Sequence, residues 1–164
     1  MKIKRIAFLG ISIALAMVFS YVEHLIPPLV AVPGIKMGLA NIVIIFLLYK
    51  IGWREAGIVS IIRVLLASML FANIQVFVFS LAGAVLSLVG MALVKRLGGL
   101  SCITVSVLGG VLHNVGQIAV AVLWTQTGEI VFYLPVLLIS GVLAGTIIGL
   151  VSAIVVKKTE KLKI

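Results

Sequence analysis

One arginine stands out among the side chains that could bind a ligand, because its neighbours are almost all apolar. Arg63 lies in the middle of the run 56–72, about equally far from both ends. If that run crosses a bilayer, the guanidinium lies near the midplane, at a cost of at least ~2.5–3.5 kcal/mol on insertion scales. A carboxylate, a wet cavity or an anionic ligand must offset that cost. Arg63 is therefore a candidate for neutralising an anionic or strongly polar group of a ligand.

Seven other polar residues fall in the same predicted half of the helices, the half that faces outward. These candidate substrate-binding residues are Glu23, His24, Lys36, Asn41, His113, Asn114 and Gln117. His113 and Gln117 are four residues apart, so they share one helix face. The amide and imidazole groups would orient a solute through hydrogen bonds. The cluster predicts a pocket that opens to the outside.

A structural interpretation of each residue stays open. Arg63 could pair with Glu23 as an ion bridge, with or without a ligand. The three amide side chains could join helices through hydrogen bonds worth about 0.6 kcal/mol each on average. Lys36 lies near the headgroups, where its side chain can extend to water. The coincidence of these residues at one depth favours a binding site over these alternatives.

The composition indicates a membrane protein with no room for a separate soluble domain. Hydrophobic residues make up 63% of the 164 residues and charged residues 10%, against roughly 45–50% and 25% in soluble domains. The net charge of +9 would suggest nucleic acid as a partner of a soluble protein. Here the basic residues cluster at helix ends, which is typical of membrane topology. We therefore predict a single transmembrane domain over residues 1–164 and no nucleic-acid partner.

Six stretches are apolar enough to cross the hydrocarbon core, which takes ~20 residues per helix. They cover residues 6–25, 37–51, 53–72, 75–94, 101–124 and 132–156, and the second is short. Most of the 13 basic residues flank the termini and alternate connections: Lys2, Lys4, Arg5, Lys50, Arg54, Lys95, Arg96, Lys157, Lys158, Lys161 and Lys163. By the positive-inside rule, both termini face the cytoplasm. The predicted fold is an all-α bundle of six transmembrane helices.

Two further patterns concern packing and access to the pocket. Gly141, Gly145 and Gly149 recur every four residues in the last helix, a spacing that lets helix backbones approach closely. The connection 26–36 contains three prolines and one glycine. Proline restricts φ and lowers loop entropy. This connection is therefore predicted to be stiff and able to lie over a cavity mouth.

The acidic residues and the single cysteine exclude several kinds of chemistry. All four acidic residues are glutamates, so the paired aspartates that often hold Mg²⁺ are missing. Cys102 is the only cysteine, which excludes an intramolecular disulfide and a cysteine metal cage. The chain contains no G-x-x-x-x-G-K-[ST] loop for ATP. We expect no metal, no cofactor and no catalysis by this chain itself.

Three segments together resemble a known bacterial family. They are Glu23-His-Leu-Ile-Pro-Pro28, Pro33-Gly-Ile-Lys-Met-Gly-Leu-Ala-Asn-Ile42 and Gly110-Val-Leu-His-Asn-Val-Gly-Gln117. The family is labelled both heptaprenyl diphosphate synthase component I and Gx transporter, and the resemblance covers nearly the whole chain. In architecture, the six-helix pattern is similar to the substrate-binding S components of energy-coupling factor (ECF) transporters. Both resemblances imply a multi-pass protein of the bacterial cytoplasmic (inner) membrane.

The two resemblances imply different functions. Similarity to S components implies that a small solute binds from outside, that the connection 26–36 closes over it, and that the first helix docks a shared ECF transmembrane subunit. Partner ATPases would supply the energy, and the solute would be vitamin-like or an isoprenoid or quinone precursor. The alternative is a non-catalytic membrane accessory subunit of a heptaprenyl diphosphate synthase. Autonomous ion-coupled transport is disfavoured because the apolar runs lack the acidic residues typical of proton relays.

Overall fold

The described part of the chain is built from helices. The computed structural model describes residues 2–26 and 37–160. The helices are α1 (Lys2–Leu25), α2 (Asn41–Lys50), α3 (Trp53–Phe71), α4 (Ile74–Leu97), α5 (Cys102–Thr125) and α6 (Leu134–Lys158). A 3-10 helix, Gly128–Tyr133, precedes α6. The all-α prediction is confirmed for these residues.

The predicted helix boundaries agree with the observed ones within a few residues, with one informative exception. The second stretch was expected over 37–51, but α2 begins at Asn41 and has 10 residues. At 1.5 Å per residue it is ~15 Å long, about half of a hydrocarbon core of ~30 Å. Residues 39 and 40 form a turn before it.

Four helical segments are long and apolar enough to span a membrane. They are Ile3–Leu25, Ile74–Leu97, Cys102–Thr125 and Gly128–Lys158. The helix α2 is apolar but short, and α3 carries Arg54, Glu55 and Arg63 among its 19 residues. Length and composition therefore support a multi-pass membrane protein, with four spanning candidates among the six α-helices of the described residues.

Local sequence signals set several helix ends. Asn73 begins α4 by accepting a hydrogen bond from the Val76 amide at 3.0 Å. Ser101 begins α5 in the same way, accepting from the Thr104 amide at 3.1 Å. Such caps satisfy amides that have no partner within the helix. At the end of α4, Gly98 has φ of 74°, a left-handed conformation that favours glycine.

The helices α2 to α6 close into a ring, and α1 packs on its outside. The helix α5 lies between α4 and α6, α3 packs against α4, and α2 contacts both α3 and α6. The outer helix α1 packs against α3 and α2. Because α2 joins helices that are far apart in sequence, its side chains form much of the core: Val43, Ile44, Ile45, Leu47 and Leu48 are all buried.

The basic residues hold one end of the bundle together. Lys95 Nζ donates to the Leu48 carbonyl at 2.5 Å and lies 4.9 Å from the ring centre of Tyr49. Lys50 Nζ donates to the Thr159 carbonyl at 2.7 Å, which joins the ends of α2 and α6. Lysines at these positions satisfy carbonyls that a helix leaves without partners at its C terminus.

A second set of contacts lies at the start of α3. Arg5 of α1 forms an ion pair with Glu55. The guanidinium groups of Arg54 and Arg96 lie 5.6 and 5.7 Å from the ring of Trp53. Basic and aromatic residues therefore lie together at this end of the bundle. That combination is typical of a membrane interface.

The stripe of glycines in α6 lies at its contact with α5, as the spacing predicts. An added Cβ at Gly145 would lie 2.7 Å from Val107 Cα, and one at Gly149 would lie 2.8 Å from Ile103 Cα. An added Cβ at Gly110 would lie 2.5 Å from the Gly141 carbonyl oxygen. The backbones of α5 and α6 therefore touch, and the packing interpretation is confirmed.

We predict that Gly145→Ala lowers the free energy of unfolding by roughly 1–3 kcal/mol, the usual cost of overpacking. The new methyl group must push backbone atoms apart, since no flexible side chain can give way. The measurement is the midpoint of thermal unfolding in detergent. Gly10→Ala in α1 is the matched control, because no heavy atom of the described residues lies within 4 Å of its added Cβ. Equal midpoints for the two variants would contradict the prediction.

Candidate functional site

A cavity lies inside the ring of helices, next to the N terminus of α2. Its volume is about 60 Å³, enough for several water molecules. Its polar lining comes from five helices, α1 to α5, and includes five of the predicted site residues: Glu23, Asn41, Arg63, His113 and Asn114. The cavity is located there because α2 is short. Residues 37–40, which precede its first turn, are not helical, and Met37 and Gly38 line the cavity there.

The position of Arg63 follows from the tight connection between α2 and α3. These antiparallel helices are joined by residues 51 and 52. Asn41 lies nine residues before the end of α2, and Arg63 lies ten residues after the start of α3. The side chains of Asn41 and Arg63 are therefore at nearly the same height along the two helices. Arg63 Nη2 donates to Asn41 Oδ1 at 3.4 Å. This is the long end of the range for a hydrogen bond.

The guanidinium of Arg63 is poorly satisfied by the protein. It offers five N–H donors, and Nε is buried without a hydrogen-bond partner in the described part of the chain. Leaving a buried donor unsatisfied costs roughly 1–3 kcal/mol, and more for a charged group. A ligand or water in the cavity would supply the missing acceptors.

Glu23 connects the end of α1 to the residues that precede α2. Its Oε1 accepts a hydrogen bond from the Gly38 amide at 2.5 Å. The carboxylate attracts the guanidinium of Arg63 electrostatically, but no nitrogen and oxygen of these side chains lie within 4 Å of each other. Within residues 2–26 and 37–160, the one ion pair is that of Arg5 with Glu55. The geometry is therefore a separated pair of opposite charges rather than a direct ion bridge.

The helix α5 contributes His113 and Asn114 to the opposite wall. Asn114 Nδ2 donates to the Leu137 carbonyl of α6 at 2.5 Å, and Ser140 Oγ donates to the same oxygen at 2.9 Å. The Asn114 amide therefore joins α5 to α6, which is the structural role that the alternative interpretation gives to the amide side chains. Its Oδ1 carries no hydrogen bond that the structure records, and the residue lines the cavity.

Of the other three predicted site residues, two lie elsewhere and the third lies outside the described residues. His24 is exposed and stacks on Phe71, with ring centres 5.3 Å apart. Gln117 is buried at the contact of α4 and α5, 3.0 Å from where a Cβ would lie on Gly83, and its Oε1 lacks a partner among described atoms. Neither lines the cavity. Lys36 and residues 27–36 of the predicted cover lie outside the described residues.

Several small residues that the sequence did not single out as site residues also line the cavity. These are Gly38, Ser87, Ser106, Gly109, Gly110, Gly141, Ala144 and Gly145, together with the larger Met37, Ile45, Met91 and Ile148. The spacing of residues 106, 109, 110 and 113 on α5 would have placed them on one face. Their lack of bulk is what leaves the cavity open, because a Cβ on Gly109 would lie 2.5 Å from Met91 Sδ.

The fold and the cavity together define a helical membrane protein with an internal polar site. The family described as heptaprenyl diphosphate synthase component I matches residues 12–155. The chain belongs to that family, as the three sequence segments predicted. No similar protein was found among curated proteins, and no solved structure matches.

Proposed function

We propose that this protein is a solute-binding membrane subunit, similar in its role to the S components of ECF transporters. The observation that carries the proposal is the guanidinium of Arg63, which faces an internal cavity with a buried donor that no described protein group satisfies. A half-buried cation among apolar helices needs compensation. A solute with acceptor groups would provide it.

The other cavity residues would fix the orientation of that solute. Asn41 lies beside Arg63 and has an amide nitrogen with two donors. His113 and Asn114 lie on the α5 side of the cavity. Glu23, bound to the Gly38 amide, would link solute binding to the position of the residues just before α2. Lys36, His24 and Gln117 were predicted for the same role, and the cavity lining gives His24 and Gln117 no direct part in it.

The proposed topology has six spans, with both termini on the cytoplasmic side of a bacterial inner membrane. Its support is the distribution of basic residues, together with the gathering of Arg5, Lys50, Lys95 and Arg96 at one end of the bundle. In this arrangement the second span is helical over only half of the bilayer, because α2 has 10 residues and its N terminus would lie near the midplane.

The topology predicts which residues a membrane-impermeant maleimide reaches in intact cells. In a Cys102→Ser background, Thr127→Cys should be labelled before lysis, because it lies in the connection between α5 and α6. Lys158→Cys, at the end of α6, should be labelled only after lysis. The reverse pattern would show that the proposed topology is inverted. Labelling of both residues before lysis would show that α6 does not cross the membrane.

The chain carries no nucleotide-binding loop, so energy would come from partner proteins. In the ECF arrangement these are a transmembrane subunit and ATPases. The lipid bilayer and the solute complete the proposed set of partners, and none of them is a nucleic acid.

The second candidate function is that of a membrane accessory subunit of a heptaprenyl diphosphate synthase. The family's description favours it directly. The whole sequence lacks aspartate, and the described residues contain no group of three or more His, Cys, Asp or Glu side chains that could hold a metal. The Mg²⁺-dependent chemistry of such a synthase would therefore reside in another chain.

Co-purification separates the two functions. Mild-detergent extraction from the native membrane should recover ATPases and a large transmembrane protein if the first proposal is right. Recovery of a soluble, aspartate-rich synthase without ATPases would refute it in favour of the second. The experiment needs no knowledge of the solute.

We predict that Arg63→Met abolishes retention of the solute that co-purifies with the protein, measured by mass spectrometry after denaturation. Loss of a charge-assisted hydrogen bond costs about 1.5–3 kcal/mol, or roughly 10-fold to more than 100-fold in affinity. Gln117→Met is the matched control, since Gln117 is buried but lies outside the cavity. Unchanged retention in Arg63→Met together with a lower unfolding midpoint would assign the guanidinium a structural role instead.

A further inference from the structure

Two opposite charges face one cavity without contacting each other. Glu23 lines it from the end of α1 and Arg63 from the middle of α3. The carboxylate attracts the guanidinium, yet their charged atoms stay more than 4 Å apart. Attraction between charges is strong where water is scarce. The two groups are nevertheless held apart, and both of them line the cavity.

Each of the two charged groups has unused hydrogen-bonding capacity. Arg63 makes one long bond, to Asn41, and its buried Nε lacks an acceptor within the described residues. The carboxylate of Glu23 can accept about four hydrogen bonds, and the structure records one, from the Gly38 amide. The cavity therefore presents donors on one side and acceptors on the other.

The formal charges of these two groups cancel. Among the described lining residues, Arg63 is the one guanidinium or ammonium group and Glu23 is the one carboxylate. A bound anion would satisfy Arg63 but would leave a net negative charge beside Glu23. A bound cation would leave the guanidinium of Arg63 unsatisfied. Uncompensated charge in a poorly hydrated site is costly, and a ligand with both charges avoids it.

We propose that the ligand of this cavity is a small zwitterion, with a carboxylate or similar oxyanion on Arg63 and an ammonium group on Glu23. The inference rests on the proposed solute-binding function and names its substrate class. An oxyanion accepts two parallel N–H donors from a guanidinium, which is the strongest of the available pairings. The ammonium donates to the carboxylate oxygens that the Gly38 amide leaves open.

Three probes of matched length test the charge requirement. They are 4-aminobutanoate, which carries both charges, butanoate, which carries the negative charge alone, and butylamine, which carries the positive charge alone. Each is titrated against the purified full-length protein in detergent, and the midpoint of thermal unfolding is recorded. We expect a saturable rise with 4-aminobutanoate. The apparent affinity for the other two should be lower by about ten-fold or more, since each lacks one charge-assisted contact.

Two substitutions assign the charges to their residues. Glu23→Gln keeps an oxygen that can accept from the Gly38 amide but removes the charge. It should weaken binding of 4-aminobutanoate and strengthen binding of butanoate, because the repulsion is gone. Arg63→Gln should have the opposite selectivity and favour butylamine over butanoate. Glu129→Gln is the matched control, because Glu129 is exposed in the 3-10 helix and lies outside the cavity.

The possible results distinguish failure of the zwitterion proposal from failure of the proposed solute-binding function. If butanoate stabilises the unsubstituted protein as much as 4-aminobutanoate does, the ligand need not carry a positive charge. The zwitterion proposal would then be wrong, and the protein would be an anion-binding subunit. Failure of all three probes to stabilise the protein would overturn the inference as well. Loss of the solute-binding function itself would be seen independently, as co-purification of a synthase without ATPases and without any retained solute.

Discussion

Arg63 places a half-buried guanidinium on α3 at the level where α2 begins, within a run of apolar residues. That placement constrains much of what surrounds it. Asn41 offers an amide oxygen at the first residue of α2, and Glu23 offers a negative charge from the end of α1. Neither satisfies the guanidinium fully. All three residues line the cavity, and under the proposed function a solute there would complete the interaction.

The short α2 is the structural reason that such a cavity exists. A longer helix in its place would extend past Asn41 into the space where the cavity lies. Instead, the apolar side chains of α2 pack one half of the interior, and the other half contains the polar groups. Lys95 and Lys50 bind the carbonyls of Leu48 and Thr159. These bonds anchor the C-terminal end of α2, so its N-terminal end has a defined position relative to Arg63.

Glycine packing forms the wall opposite α3. The backbones of α5 and α6 touch at Gly110, Gly141 and Gly145, and the same three glycines line the cavity. In a membrane, lipid offers no hydrophobic force to bring helices together, and close backbone approach supplies the van der Waals contact instead. One set of small residues thus performs two tasks. It holds two helices in contact, and it leaves space beside Asn114 that larger side chains would occupy.

The sequence by itself determined the helices, the family and the residue that needs compensation. Apolar runs of the required length and caps such as Asn73 and Ser101 are local signals, and local hydrogen bonding decides helix formation. The depth of Arg63 likewise follows from counting along one run. Which polar groups meet was decided only by the tertiary structure. Gln117 shares a helix face with His113, and both side chains lie against Gly83 of α4. Gln117 is one turn further along α5, however, and only His113 of the two lines the cavity. His24 is adjacent to Glu23, but successive residues on a helix point about 100° apart, and it stacks on Phe71 instead.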